Sequence, residues 1–357
     1  MDFLVKLDGI ATLYIPLVAG GASAFLFILI LTPLAERLGL LDIPDDRKRH
    51  QTAVPMVGGI AIYLVILSAT LILDPPEKLS WLLASVTLLV LVGALDDAID
   101  LKVRIRFFAQ LLATLIMIIG SSLWIRSVGA DLWGINEILS WIGIPCTIVV
   151  VVGLTNGFNM VDGIDGLASG HMLIGLGTVY LTLTLQHNPI PNIEWLMLLL
   201  AAVFAFFLVN LSLTPIKKVF LGDAGSMSLG FIMAWILIYY SQQPHQHIHP
   251  IAALWCASVP VFDTIAVILR RLKNRSSPFA PDRFHLHHLL CENGLKPKQA
   301  LVLILTLSAC LNFIGIWVAY VISTIFSLYF YLFLMMGYSA SMIFLTADSH
   351  KKIKKTR

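Results

Sequence analysis

At 357 residues, 58% hydrophobic and only 13% charged, the chain is too apolar for an ordinary water-soluble domain and has the balance of a protein that crosses a bilayer repeatedly. Its net charge of +3 says little as a total. Cys146, Cys256, Cys291 and Cys310 lack the paired spacing of a disulfide framework or zinc site, and read as apolar filler.

Apolar runs long enough to cross about 30 Å of hydrocarbon fall near 11–34, 57–73, 81–95, 107–125, 141–157, 167–186, 195–213, 225–240, 251–269, 299–320 and 323–346. They predict an all-α polytopic integral membrane protein of about eleven transmembrane helices, forming one domain over 1–357. No basic n-region precedes the first run, so it reads as an uncleaved span. If that span begins outside, 21 of the 24 Lys and Arg residues fall in the loops at 35–56, 96–106, 155–166, 214–224 and 270–298 and in the tail. Only Lys6, Lys78 and Arg126 fall on the other side. The bias predicts a periplasmic N-terminus, a cytoplasmic C-terminus and an active site on cytoplasmic loops.

Arg47-Lys48-Arg49-His50, running into Pro55 and Gly58-Gly59, is basic and glycine-ended; alone it is ordinary positive-inside character. The run 81–95 gives only about 22 Å of helix at 1.5 Å per residue, so Asp96 and Asp97 should be drawn into the interface. Adjacent carboxylates there repel unless a cation, or Lys102, Arg104 and Arg106, compensates. In Asn159-Met-Val-Asp162-Gly-Ile-Asp165-Gly-Leu-Ala-Ser-Gly170, two carboxylates stand three apart, each followed by glycine. The glycines predict a loop that can approach a ligand closely rather than a regular helix. Charge near the bilayer is costly and usually functional, so the stretch reads as a phosphate-handling, metal-assisted site at a membrane surface.

Further on, Phe220-Leu-Gly222-Asp223-Ala-Gly225-Ser226 opens a span. Its glycines would turn backbone N–H groups toward an anion, and Asp223 offers an oxygen suited to Mg²⁺. A plain helix cap by Asp223 or Ser226 explains the motif too. Pro244-His245-Gln-His247-Ile-His249-Pro250 has metal-binding spacing, but its prolines favour a solvated outer loop. Asp263, about 10 Å inside the run 251–269 by helical rise, should face the bundle interior with a partner and support the site. Ser277-Pro-Phe-Ala-Pro281-Asp-Arg283-Phe-His285-Leu-His287-His288 could hold zinc or lie as an amphipathic turn on the membrane. The hard oxygen ligands nearby favour magnesium or manganese, with the histidines on phosphate.

Together these motifs resemble the polyprenyl-phosphate N-acetylhexosamine-1-phosphate transferase superfamily over nearly the whole chain. The likeness runs through Arg47-Lys-Arg-His-Gln51 with Pro55 and Gly58-Gly59, Gly93-Ala-Leu-Asp96-Asp97 and Phe158-Asn-Met-Val-Asp162-Gly-Ile-Asp165-Gly-Leu167. It continues in Lys218-Val-Phe-Leu-Gly222-Asp-Ala-Gly-Ser226 and in Ser277-Pro-Phe-Ala-Pro-Asp-Arg283 with His285-Leu286-His287-His288. The branch that transfers phospho-MurNAc-pentapeptide typically carries three consecutive histidines. Here Leu286 interrupts them, as in the branch that uses GlcNAc.

The resemblance implies that UDP-GlcNAc and undecaprenyl phosphate give undecaprenyl-diphosphate-GlcNAc and UMP. The setting implied is a bacterial inner membrane, at the first membrane step toward a lipid-linked surface polysaccharide of O-antigen or enterobacterial common antigen type. It further implies Mg²⁺, replaceable by Mn²⁺, with Asp223 as principal ligand. His285, His287, His288 and Arg283 would hold the diphosphate, and Asn210 and Phe220 would line the nucleotide pocket. Lys48 would contact substrate, while Asn159, Asp162 and Asp165 would shape the nucleotide-sugar pocket. Asp96 is the candidate base or nucleophile, with Asp97 beside it. A phosphate monoester has a second pKa near about 6, so the lipid phosphate gains little from a base, and Asp96 could instead position it; a covalent Asp96 intermediate competes. The bilayer is a partner, nucleic acid is not, and a homodimer stays open. A sister enzyme using another UDP-N-acetylhexosamine is the near alternative. A secondary transporter is the distant one, opposed by acids gathered on one face and by the lack of a repeat.

Overall fold

The computed structural model describes residues 2–43, 52–72, 77–129, 135–185, 190–242, 246–275 and 284–355, with backbone alone at 2–12, 77, 137 and 347–355. Among the described residues one short strand pair, Leu41–Asp42 with Val54–Pro55, accompanies a set of helices. In chain order these are α1 (Asp2–Leu31), α2 (Gly58–Ile72), α3 (Glu77–Ile99), α4 (Val103–Ser121), α5 (Ile135–Val161), α6 (Leu167–Leu185) and α7 (Ile193–Asn210). They continue as α8 (Gly222–Ser241), α9 (Pro250–Trp255), α10 (Ser258–Lys273), α11 (Leu286–Glu292), α12 (Pro297–Trp317) and α13 (Thr324–Lys355). Nine segments among the described residues are long and apolar enough to cross a membrane, and α2 is a shorter apolar helix. The chain is a polytopic all-α membrane protein.

Two of the eleven expected runs, and the His-rich stretch between runs, differ informatively from these elements. The run 81–95 belongs to a helix of 23 residues, α3, which does not stop before the acids. Its polar residues are absorbed into the helix, Ser85 and Thr87 donating back to the carbonyls of Trp81 at 2.9 Å and Leu83 at 2.7 Å. Asp96 and Asp97 therefore sit in the last turns of a full-length helix, which ends at Asp100 in the left-handed conformation (φ 53°). The run 251–269 is instead divided into α9 and α10. Pro260 supplies the reason, because it has no N–H for the Cys256 carbonyl and its ring crowds that position. Part of the His-rich stretch at 245–249 lies outside the described residues. Its described end is not fully solvated: Ile248 is buried, and His249 caps α9.

Everything that positions the site depends on α8, the most deeply buried of the long helices. It packs against α2, α3, α5 and α6. Small residues allow the close approach, as is usual where helices cross inside a membrane. A Cβ at Gly59 of α2 would overlap the Gly225 backbone, and one at Gly93 of α3 would overlap Asp223 and Ala224. The backbone of 55–59 also pairs with 220–221, with Phe220 N–H donating to Pro55 O at 2.8 Å and Gly58 N–H to Phe220 O at 2.9 Å. The entry to α8 is thus clamped from two sides.

Candidate functional site

An isolated helix leaves its first N–H groups without partners. At α8 two of them are satisfied from another helix. Asp97, at the end of α3, accepts from Asp223 N–H at 2.8 Å through Oδ1 and from Ala224 N–H at 3.2 Å through Oδ2. Gly222 makes this possible: its φ of +73° and its bare Cα leave room where a Cβ would strike the Asp97 carboxylate. The expectation that these amides face a ligand's anion is corrected, since Asp97 already occupies them. Neither Asp223 nor Ser226 caps the helix. Asp97 does, across 126 positions of sequence.

With its backbone held this way, Asp223 turns its carboxylate to a ring of partners. Oδ1 accepts from Asn159 Nδ2 at 2.6 Å, and the same amide reaches Ser226 Oγ at 2.9 Å. Oδ2 accepts from Arg106 Nη1 at 3.1 Å. That guanidinium nitrogen also donates to Asp96 Oδ2 at 2.8 Å, while Asp96 Oδ1 accepts from Leu101 N–H at 2.7 Å. Asp96 is buried and uses both oxygens. Arg106 appears in the sequence as one basic residue among three near the acids; the structure makes it the bridge between two of the predicted site residues.

The stretch 159–170 is mostly helical, contrary to the loop expected from its glycines. α5 runs through Val161 and α6 begins at Leu167, so Asn159 and Gly170 are helical and only 162–166 turns. The buried, close-packed helix ends outweigh the glycines' local preference. Asp162 is partly exposed in that turn, and its pKa is pushed up to about 8, first by desolvation and then by the charges of Asp223, Asp97 and Asp165. Asp165 is exposed and pairs with Lys218 at 2.6 Å. Lys218 also lies over the half-buried Phe220 ring, 4.8 Å from its centroid. Asn210 is buried beneath the turn, accepting from Gly166 N–H at 2.6 Å and donating to Val219 O at 2.9 Å. Its amide ties the 162–166 turn to the segment entering α8.

The histidines come to the same region from α11. The His287 ring lies directly on Gly163, where any Cβ would collide with it. Its pKa falls to about 3, through burial first and then the neighbouring His288 and His285, so it is neutral; its Nε2 is buried without a hydrogen-bond partner. The His288 ring stands 4.1 Å from that of His287, and His285 lies parallel to His287 at 6.0 Å. The partner expected for Asp263 is His285, 2.7 Å away. Lys48 and Arg283 lie outside the described residues.

Five carboxylates thus gather at one end of the bundle with Arg106 and Lys218 as their bonded cations among the described residues. The donor set is hard oxygen, and five carboxylates face two bonded cations, so the residues fit a divalent cation such as Mg²⁺. No three His, Cys, Asp or Glu side chains among the described residues converge as a ready-made cage. A cation here would take its remaining ligands from water and from substrate oxygens. The acids sit at helix ends rather than mid-bundle, the arrangement of a surface reaction rather than of ion-coupled transport.

The sequence pattern of Glycosyl transferase family 4 matches residues 79–241. The undecaprenyl-phosphate alpha-N-acetylglucosaminyl 1-phosphate transferase of Yersinia pestis is 37% identical over 348 residues, covering 94% of this chain and 92% of the relative. The enzyme of the same name from Escherichia coli K12 is 35% identical over 92% of this chain and 91% of its own length. That of Haemophilus influenzae is 34% identical over 82% and 83%. The chain belongs to glycosyl transferase family 4.

The withdrawal of Asp162 from water beside other carboxylates has a measurable consequence. With a folded-state pKa raised from 3.8 to about 8, Asp162 keeps a proton that the unfolded chain releases, so its contribution to stability is lost as pH rises through that window. In chelator-treated, detergent-solubilised protein the melting midpoint should fall from about pH 6 to about pH 8 and level off above that. Asp162→Asn should flatten the fall; an equally steep one in that variant would show that Asp162 is not the group responsible.

Proposed function

We propose that this chain transfers GlcNAc-1-phosphate from UDP-GlcNAc to undecaprenyl phosphate, releasing UMP, with Mg²⁺ or Mn²⁺ in the site. The observation that carries the reading is the knot of Asp96, Asp223, Asn159 and Arg106 at one end of a membrane bundle, in a chain whose relatives are named for that transfer. A lipid-borne acceptor needs a site that opens at the membrane surface, and the helix ends provide one.

A phosphate oxygen of the lipid attacks the β-phosphorus of the nucleotide sugar. A new P–O bond forms, the bond to the bridging oxygen breaks, and its electron pair leaves with UMP. The sugar C–O bond stays intact. Both reactants are anionic, so the pocket must gather positive charge where they meet. The divalent cation supplies much of that charge when bound, with Asp223 as its chief protein ligand and Asp162 and Asp165 close by.

The chain's own residues do the rest. Arg106, Lys218 and the α11 histidines screen and orient phosphate oxygens, with Arg283 and Lys48 assigned to the same task. The Phe220 ring with Lys218 above it offers a flat cationic face suited to a uracil and its phosphate. Asn159 and Asn210 hold the walls. Asp96 has both oxygens committed, so we assign it to holding Arg106 rather than to nucleophilic attack. A dianionic lipid phosphate needs no base to react. The side of the membrane follows from the basic residues: 21 of 24 lie on the acid-bearing side by the sequence threading, which we read as the cytoplasmic face of a bacterial inner membrane. The product would feed a lipid-linked surface polysaccharide of O-antigen type.

Membranes containing the protein should release UMP from UDP-GlcNAc only when undecaprenyl phosphate and Mg²⁺ or Mn²⁺ are both added. Turnover independent of lipid, or none with everything present, would count against the transfer. Asp223→Asn should lose about 10²-fold or more in kcat with a blunted response to metal concentration. Near-normal kinetics in that variant would remove Asp223 from the metal site.

A further inference from the structure

A carboxylate inside an apolar helix needs partners, and Asp263 of α10 has three. Its Oδ2 lies 2.7 Å from His285 Nδ1, while Oδ1 accepts from Leu286 N–H at 3.1 Å and from the Tyr338 hydroxyl at 3.0 Å. Asp263 is 1% exposed and His285 4%. The Leu286 bond makes Asp263 a cap for α11, a helix of seven residues that is too short to hold its place unaided. Tyr338 brings α13 into the same bond set, so one carboxylate joins α10, α11 and α13.

The bond at Nδ1 does more than anchor a helix. A carboxylate there fixes the ring proton on Nδ1 and makes Nε2 the nitrogen left to act. Among the described residues, Nε2 of His285 has no hydrogen-bond partner. The ring stands parallel to that of His287, which itself rests on Gly163 between Asp162 and Asp165. None of Asp263, His285 and Tyr338 lies within 79–241, the part of the chain that matches the family pattern.

We propose that Asp263 is a positioning residue of the transferase site: with Tyr338 it holds His285 with a proton on Nδ1, so that Nε2 meets a phosphate oxygen of a substrate. This rests on the transfer reaction set out above. With Nδ1–H donating to the carboxylate, a proton shared between Nε2 and the phosphate oxygen completes the bridge, and the carboxylate behind the ring stabilises the charge this places on it. The imidazole thereby adds positive charge where attacking and leaving phosphates meet. The phosphate belongs either to the nucleotide sugar or to the lipid, and kinetics separates the two.

Asp263→Asn tests the inference. The asparagine keeps the shape and still accepts from Leu286 and Tyr338, but turns an amide donor toward His285 and forces the ring proton to Nε2. We expect kcat/KM to fall about 10²-fold with little change in melting midpoint, and histidine ¹⁵N NMR to report the change from Nδ1–H to Nε2–H. Asp263→Glu, which restores a carboxylate, should recover part of the rate. A KM increase confined to UDP-GlcNAc assigns Nε2 to the diphosphate; one confined to undecaprenyl phosphate assigns it to the lipid. Unchanged kcat/KM in Asp263→Asn overturns the proposal, as does equal loss in the Asn and Glu variants with a lowered melting midpoint, which marks a brace only. Should Asp263→Asn fail to fold, Tyr338→Phe is the second variant, expected to lose about 3- to 10-fold for one hydrogen bond; full activity there overturns the proposal too. If the unmodified protein shows no lipid-dependent UMP release while Asp263→Asn still inverts the tautomer, the transfer reaction fails and the His285 geometry stands.

Discussion

The pair of hydrogen bonds from the α8 amides to Asp97 is the constraint on which the site depends. A carboxylate at a helix N-terminus meets both unpaired N–H groups and the positive end of the helix dipole, an interaction worth up to about 2 kcal/mol where it is partly buried. Here it also joins the end of α3 to the start of α8. Once those amides are taken, Asp223 can point its carboxylate only away from its own backbone, toward Asn159 and Arg106. The orientation of the principal acid is therefore set by a neighbour in space that is remote in sequence.

Close packing makes that neighbour available. Gly93 and Ala224 let α3 lie against α8, and Gly59 with Gly225 does the same for α2. Larger side chains at these crossings would move the helix ends apart and leave Asp97 short of the amides. Asp263 repeats the device at α11, where a carboxylate from one helix caps another and fixes a histidine at the same time. In both cases a carboxylate, half-buried at Asp97 and buried at Asp263, is stabilised by N–H groups that would otherwise be orphaned. Among the acids that remain, Asp162 has its pKa raised first by desolvation and then by the neighbouring carboxylates Asp223, Asp97 and Asp165.

Much of this was legible in the sequence. Apolar runs placed most of the helices, and the motifs around Asp97, Asp162, Asp223 and His287 do meet at one end. The demand that a buried Asp263 have a partner was met by His285. What could not be read were relations between distant residues. Nothing in the sequence of α3 says that Asp97 will cap α8, or that Arg106 rather than Lys102 or Arg104 will bridge two aspartates. The loop expected at 159–170 shrank to 162–166 because tertiary packing overrode the local signal of glycine. The 15-residue span failed for a simpler reason: counting apolar letters ends a helix at its first charges, whereas the backbone carries α3 on through Ile99.

The most direct test of the account is to remove the cap and read stability and chemistry together. With Asp97→Ala, the melting midpoint of the solubilised protein and the rate of UMP release should fall in parallel, because α8 loses its cap and Asp223 loses its orientation. An inactive variant that melts like the unmodified protein would contradict the account, placing Asp97 in the chemistry itself rather than at the head of the helix that positions Asp223.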